Sequence, residues 1–238
     1  MQILIVHAHP EANSFNGALT RAAEAALISE GHAVTVADLY ALNFAPAAGR
    51  HDFLQTFDAS RFHLQSEQAH AAGEGGFADD LREQQQRLLS ADLLILQFPL
   101  WWGAPPAILK GWFDRVLAYG IAYVDGQRFQ SGLLSGRRAL ISVTTGGTRA
   151  RFSDDDVYGE VDKVLWPVRH LTLEYMGFEV EETFVSYGVP RVEEAGRATC
   201  LENWRRRVVE VARKKVAPRI ISPRDALGLA GDQAWKSS

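Results

Sequence analysis

An α/β fold is what this sequence predicts: a doubly wound, five-stranded parallel sheet in the order 2-1-3-4-5, with helices on both faces. Three observations predict it. Short apolar runs alternate with helical patterns along most of the chain, as repeated β-α-β units require. Those runs are nearly continuous, as in Ile3-Leu4-Ile5-Val6 and Leu93-Leu94-Ile95-Leu96, so the strands are covered on both faces. Three of the runs end in turns dense in Gly, Pro, Trp, His or Thr. In this strand order the carboxyl ends of strands one, three and four line one crevice, where loop amides and helix N-termini converge.

Each element follows from its local pattern. Strand one is Gln2 to His7. An Ala- and Leu-rich helix runs from about Ser14 to Glu30 and stops at Gly31, a natural left-handed cap. Strand two is Ala33 to Asp38. Residues 40–76 hold His, Gln and Gly without periodicity and read as a long irregular excursion of the kind that serves function. A helix from Phe77 to Ser90 precedes strand three, Asp92 to Phe98, and a helix from Ala107 to Val116 follows it. Strand four is Arg138 to Thr144. A helix from Gly159 to Tyr175 leads to strand five, Phe178 to Val185, and Glu193 to Lys215 is the last helix. The expected division is a domain over 1–216 and a tail over 217–238 that wraps over a neighbour or frays.

Composition bounds the function. The 238 residues are 47% hydrophobic and 23% charged, ordinary globular values that supply a large core. A net charge of -4 disfavours nucleic acid as a partner, and Arg205-Arg206-Arg207 and Arg213-Lys214-Lys215 sit at the spacing of a solvated helix face. The chain opens on a strand rather than a signal peptide, and no apolar run is long enough to span a bilayer. A single cysteine, Cys200, has no internal disulfide partner, which fits a reducing compartment. The expectation is a cytoplasmic protein without membrane insertion. His32, His51, His63, His70 and His170 show no metal-ligand spacing, so no metal is expected.

The chemistry is expected in the three odd turns. The first, His7 to Asn16, puts Asn13 or Ser14 at a helix N-cap, where amides favour an anion. His9, Ser14 and Asn16 add side-chain donors for a pyrophosphate. A capped turn with incidental histidines would look much the same. No Walker lysine and no G-x-G-x-x-G turn is present, which excludes those two nucleotide-binding modes. The second turn, Pro99 to Pro106, holds Leu100-Trp101-Trp102-Gly103. Its backbone can hydrogen-bond the edge of a flat heterocycle such as a flavin while the indoles wall it. The third, Thr144-Thr145-Gly146-Gly147-Thr148, supplies amides unobstructed by Cβ atoms. Lys110 and Arg115 read as solvated or paired with Asp114.

These segments, taken with Asp38-Leu39-Tyr40, Asn43-Phe44, Gln97-Phe98, Pro106 to Phe113, Leu165-Trp166-Pro167 and Glu202-Asn203-Trp204, resemble the NAD(P)H:quinone oxidoreductase (DT-diaphorase) family of flavodoxin-like enzymes. The likeness spans about residues 1 to 215, with the motifs in order. It implies tightly bound FAD (FMN being the lesser alternative), NAD(P)H as co-substrate, a quinone acceptor, and ping-pong transfer of two electrons as hydride. It also implies a homodimer with active sites at the subunit interface. His9, Ser14, Phe15 and Asn16 would hold the FAD phosphates. Pro99, Leu100, Trp101, Trp102 and Gly103, with Thr144, Thr145, Gly146 and Gly147, would hold the isoalloxazine. Arg197 would sit near the adenosine half, and Tyr123 matches a substrate-pocket tyrosine. Gly147 and Tyr158 are the implied catalytic positions beside Tyr123.

The chain departs from the family in three places. Phe152 and Tyr158 stand where well-studied members carry a tyrosine and a histidine proposed to stabilise charge at flavin N1/O2. Gly103 replaces an aromatic, and Asp125 replaces a second pocket tyrosine. Phe152 cannot hydrogen-bond, so the Gly146 and Gly147 amides, with Tyr158 or one of Arg149 and Arg151, are expected to offset that charge. Two other functions share the motifs: a flavin-binding ancillary subunit of a potassium efflux system, and an FMN-dependent azo- or nitroreductase.

Overall fold

The computed structural model describes residues 1–231; the end of the expected tail, 232–238, lies outside the described residues. Strands β1 (Gln2–His7), β2 (Ala33–Asp38), β3 (Leu93–Pro99) and β4 (Arg138–Thr144) lie where the apolar runs place them. Every pairing is parallel, in the order β2-β1-β3-β4, with β5 (Glu179–Val180) and β6 (Phe184–Ser186) both beside β4. The fold is flavodoxin-like. Successive side chains point to opposite faces of a strand, so the central strands feed two cores. Leu4, Val6, Leu94, Leu96 and Ile141 pack with Trp112 on one side. Ile3, Ile5, Leu93, Ile95 and Leu140 pack with Leu19 and Trp204 on the other.

The helices on the second face are α1 (Phe15–Ser29) and α7 (Glu194–Ala212). They are tied by the Trp204 indole, whose Nε1 donates to the Leu19 carbonyl at 2.9 Å. The first face carries α2 (Leu64–Glu74), α3 (Asp79–Ser90) and α4 (Ala107–Val116). No helix among the described residues is long and apolar enough to cross a membrane.

The structure corrects the sequence reading in three places. Residues 40–76 are not irregular throughout, because they contain α2. Its buried face is Glu67, Gln68, Ala71 and Ala72, polar and small, so no apolar period announces it. The expected helix over 159–175 is three pieces: α5 (Val161–Val164), α6 (Trp166–Val168) and a π-helical stretch, Arg169–Glu174. Pro167 has no N–H to continue the ladder, which forces the restart. The expected fifth strand is split into β5 and β6. Ser142 lies three positions after Ala139, but its partner Phe184 lies four after Val180. One extra residue in the outer strand therefore makes a bulge. The described part of the tail, 217–231, runs along its own chain: Ala217 N donates to Gly136 O (3.0 Å) and Arg219 N to Ser135 O (2.9 Å), and α8 (Pro223–Leu227) buries Ala226.

The bulge turns Glu181, 7% exposed, into a cluster of cations. Its carboxylate accepts from Lys214 Nζ (2.6 Å), Arg138 Nη1 (2.8 Å) and Arg207 Nη2 (3.3 Å). Burial pushes its pKa up, but hydrogen bonds from Lys214 and Arg138 and the charges of Lys214 and Arg207 outweigh that and hold it below the ordinary glutamate value. A depressed carboxyl pKa contributes stability above the unfolded value of about 4.3, and that stability is lost as pH falls through the lower folded value. Glu181→Gln is therefore expected to cost about 2 kcal/mol at pH 7, less than a fully buried pair because its partners are part-exposed. Urea denaturation should show the gap between wild type and variant closing below about pH 4. A gap that stays constant with pH would contradict the assignment.

Candidate functional site

The order of connection reverses between β1 and β3, both of which run beside each other in the middle of the sheet. Their carboxyl ends and that of β4 open on one edge, as the sequence predicts. There, the second and third turns face a crevice of about 960 Å³. It is lined by Leu100, Trp102, Gly103, Thr145, Gly146, Gly147, Thr148, Arg151, Phe152, Val157, Tyr158, Val164, Pro190 and Arg191. The chain thus brings together eight expected residues: Leu100, Trp102, Gly103, Thr145, Gly146, Gly147, Phe152 and Tyr158.

The second turn is a two-residue hairpin. Trp101 N donates to Ala104 O and Ala104 N to Trp101 O, both at 3.0 Å. The two central residues, Trp102 and Gly103, have φ of 53° and 71°. Gly adopts this conformation freely, whereas a tryptophan is strained in it. Such strain persists where the surroundings require it, commonly at ligand clamps. Its consequence here is a fully exposed Trp102 indole beside a Trp101 ring that is 42% exposed. Pro99 is buried at the end of β3, and Leu100 N is tied to Thr144 O at 2.8 Å, which locks the second turn to the third.

In the third turn the Thr145 hydroxyl donates to Gly147 O (2.7 Å) and Thr145 N donates to Ser186 O (3.0 Å). Phe152 stacks obliquely on Tyr158, with centroids 5.0 Å apart, and both press on Gly147. A Cβ built there would meet Phe152 at 2.9 Å and Tyr158 at 3.1 Å, whereas one on Gly146 meets nothing within 4 Å. Among the described residues the amides of Trp102, Gly103, Gly146, Gly147 and Thr148 have no hydrogen-bond acceptor within the chain. All five residues line the crevice.

The first turn stands beside the crevice rather than in its lining. Ser14 is the N-cap of α1, and its Oγ accepts from Gly17 N at 3.1 Å. The Phe15 and Asn16 amides remain without an acceptor among the described residues. The Asn16 side chain is spent inward: its Nδ2 donates to Thr144 Oγ1 and its Oδ1 accepts from Gln97 Nε2, each at 2.9 Å. It ties the first turn to β3 and to the third turn, so its amide rather than its side chain is available to a phosphate. The His9 ring lies 6.1 Å from that of Trp101. His7 is buried, with Nδ1 2.8 Å from Thr20 Oγ1, and burial pushes its pKa down.

Pro99, Trp101 and Thr144 belong to the turns without lining the crevice, and Arg197 and Tyr123 also lie outside its lining. Arg197 donates to Val192 O (2.9 Å) and Val189 O (3.4 Å), supporting the turn that carries Pro190 and Arg191. Tyr123 stands edge-on to Tyr119 (5.4 Å) and Tyr175 (6.4 Å), and burial raises its pKa. Arg149 lies over the Tyr187 ring at 5.0 Å. Lys110 pairs with Asp114 at 2.6 Å as expected, but Arg115 does not; it is buried against Asp52. The sequence reading missed Val157, Val164, Pro190 and Arg191. All four come from segments after β4 that carry no motif, although Arg191 sits in a Gly-Val-Pro-Arg turn that marks a break before α7.

Residues 1–208 match the family model of the flavodoxin-like fold. Ribosyldihydronicotinamide dehydrogenase (quinone) of Mus musculus is 39% identical over 213 residues, covering 88% of this chain and 91% of that protein. NAD(P)H dehydrogenase (quinone) 1 of Rattus norvegicus is 39% identical over 209 residues, covering 87% and 76%. Among solved structures, a Klebsiella pneumoniae protein provisionally assigned as a quinone reductase superposes with a TM-score of 0.87 at 34% identity, covering 91% of this chain and 86% of its own. The NAD(P)H:quinone oxidoreductase of Methanothermobacter marburgensis gives 0.68 at 27%, covering 90% and 98%. With the crevice at the reversal of its sheet and relatives aligned over most of its length, the chain belongs to the NAD(P)H:quinone oxidoreductase family of flavodoxin-like enzymes.

Proposed function

We propose that this protein is a cytoplasmic NAD(P)H:quinone oxidoreductase that carries FAD and acts by a ping-pong mechanism as a homodimer. The observation that carries the reading is the set of unpaired amides along the crevice, at Trp102, Gly103, Gly146, Gly147 and Thr148. Unpaired donors are costly when desolvated, and a planar heterocycle rich in acceptors along one edge satisfies them together. The residues fit the group: Gly146 leaves its Cβ side open, and Trp102 presents an uncovered indole. When bound, FAD supplies the redox chemistry, receiving two electrons from NAD(P)H and delivering them to a quinone.

The chain's own residues hold and tune. Phe15 and Asn16 amides at the start of α1 receive phosphate. The Trp102 and Gly103 amides and those of the third turn orient the ring and favour negative charge on it. Phe152 and Val164 exclude water from the wall. Tyr158, half-exposed beside Gly147, holds the hydroxyl proton that Phe152 lacks. Tyr123 lies outside the crevice lining of its own chain; in the proposed homodimer its role would be at the partner's site.

Steady-state reduction of menadione by NADH and by NADPH tests the reading. The expected result is saturable turnover with parallel double-reciprocal lines. Tyr158→Phe should lower kcat about tenfold, less than the roughly hundredfold or more of a fully positioned proton donor, because the Tyr158 side chain is half-exposed. Absence of menadione reduction with either donor would overturn the proposal.

A further inference from the structure

The wall of the crevice is cationic. Arg151 and Arg191 line it and no carboxylate side chain does, in a chain with 29 acidic and 25 basic residues. Each guanidinium has one anchor. Arg191 Nη1 donates to the Gly146 carbonyl at 2.7 Å, which fixes its head beside the glycine turn. Arg151 Nη1 donates to Asp156 Oδ1 at 3.2 Å. Among the described residues the Nε and Nη2 groups of both arginines have no acceptor. The neighbouring aspartates do not fill the space. Asp156 also accepts from the Val157 amide at 2.6 Å, Asp154 is turned to Lys163, and neither lines the crevice. Leu100, Phe152, Val157 and Val164 complete an apolar wall that suits a flat ring. A guanidinium with free donors at the edge of an apolar slot recognises a planar or tetrahedral oxyanion by charge-assisted hydrogen bonds.

We infer that Arg151 and Arg191 are specificity residues for an oxyanion on the substrate, and that this crevice prefers aromatic acceptors carrying a carboxylate or sulfonate over neutral ones of the same ring system. The inference rests on the quinone-reductase reading of the site. The phosphates of NAD(P)H share this chemistry, so the experiment separates acceptor from donor.

Two naphthoquinones serve as probes, neutral menadione and 1,4-naphthoquinone-2-sulfonate. For each, kcat/KM is measured with the holoenzyme of wild type, Arg151→Gln, Arg191→Gln and the double variant, along with the KM for NADH. The sulfonate changes the ring's potential as well as its charge, so the quantity read is how the sulfonate-to-menadione ratio changes on substitution. It should fall about tenfold in the double variant, and it should fall in wild type as salt rises from about 20 to about 300 mM. Equilibrium binding of the sulfonate without donor, followed by tryptophan quenching, should weaken in parallel. A ratio unchanged in the double variant and with salt overturns the inference. So does a rise in KM confined to NADH, which assigns both arginines to the donor's phosphates. Wild-type protein that reduces neither quinone overturns the functional reading instead.

Discussion

Arg115→Ala should remove about 3–5 kcal/mol of stability and lower Tm by about 10 °C in a chain of this size. Arg115 is 2% exposed and Asp52 1%. The guanidinium donates from Nε (2.9 Å) and Nη2 (2.8 Å) to Asp52 Oδ1 and from Nη1 to Ala45 O (2.7 Å), and it stands 4.8 Å over the Phe44 ring. One side chain therefore pins the 44–52 segment to α4, the helix that leaves the tryptophan turn. Among the described residues, its removal leaves the buried carboxylate with the Gly49 amide (3.2 Å) and the His51 ring (3.3 Å) as its remaining partners. Most of the cost is that uncompensated charge rather than the worth of the pair. Arg115→Met combined with Asp52→Leu should accordingly recover much of the loss. Denaturant melts of the three variants check this, and a loss below about 1 kcal/mol for Arg115→Ala would show that Asp52 finds other compensation.

Gly146→Val should abolish tight flavin binding while leaving the fold intact. A Cβ on Gly146 meets no atom within 4 Å, and Gly146 is not among the positive-φ residues, so valine enters without backbone strain. The space it fills is the crevice itself, where Gly146 lies between Thr145 and Gly147 in the lining. The apoprotein Tm should move by no more than about 2 °C, while flavin affinity should fall at least about a hundredfold, the penalty of forcing bulk against a ring. Thermal melts and equilibrium dialysis separate the two effects. Unaltered flavin affinity in a folded Gly146→Val would place the ring elsewhere.

The sheet was legible because short apolar runs such as Leu93-Leu94-Ile95-Leu96 alternate with helical patterns and end at turn residues. The crevice was legible because Trp-Trp-Gly and Thr-Thr-Gly-Gly follow two such runs. What escaped had physical reasons. α2 buries Glu67 and Gln68, so it carries no apolar period. The bulge between β5 and β6 depends on a register with β4 that local sequence does not contain. Arg115 resembles any helical arginine until the chain folds Asp52 against it. Asn16 was recognised as a site residue, but its side chain serves Thr144 and Gln97, contacts across 128 and 81 positions. Arg191 reaches the crevice from beyond the last strand, where only the sheet topology reveals its nearness.

The central claim is that unpaired amides and exposed indoles at the ends of β3 and β4 hold a flavin. Purified protein, stripped of ligand and incubated with FAD, tests it most directly when absorbance near 450 nm and the mass of the heat-released cofactor are both recorded after gel filtration. About one FAD per chain, with quenched tryptophan fluorescence, is the predicted result. A protein that leaves the column colourless after incubation with either FAD or FMN would contradict it.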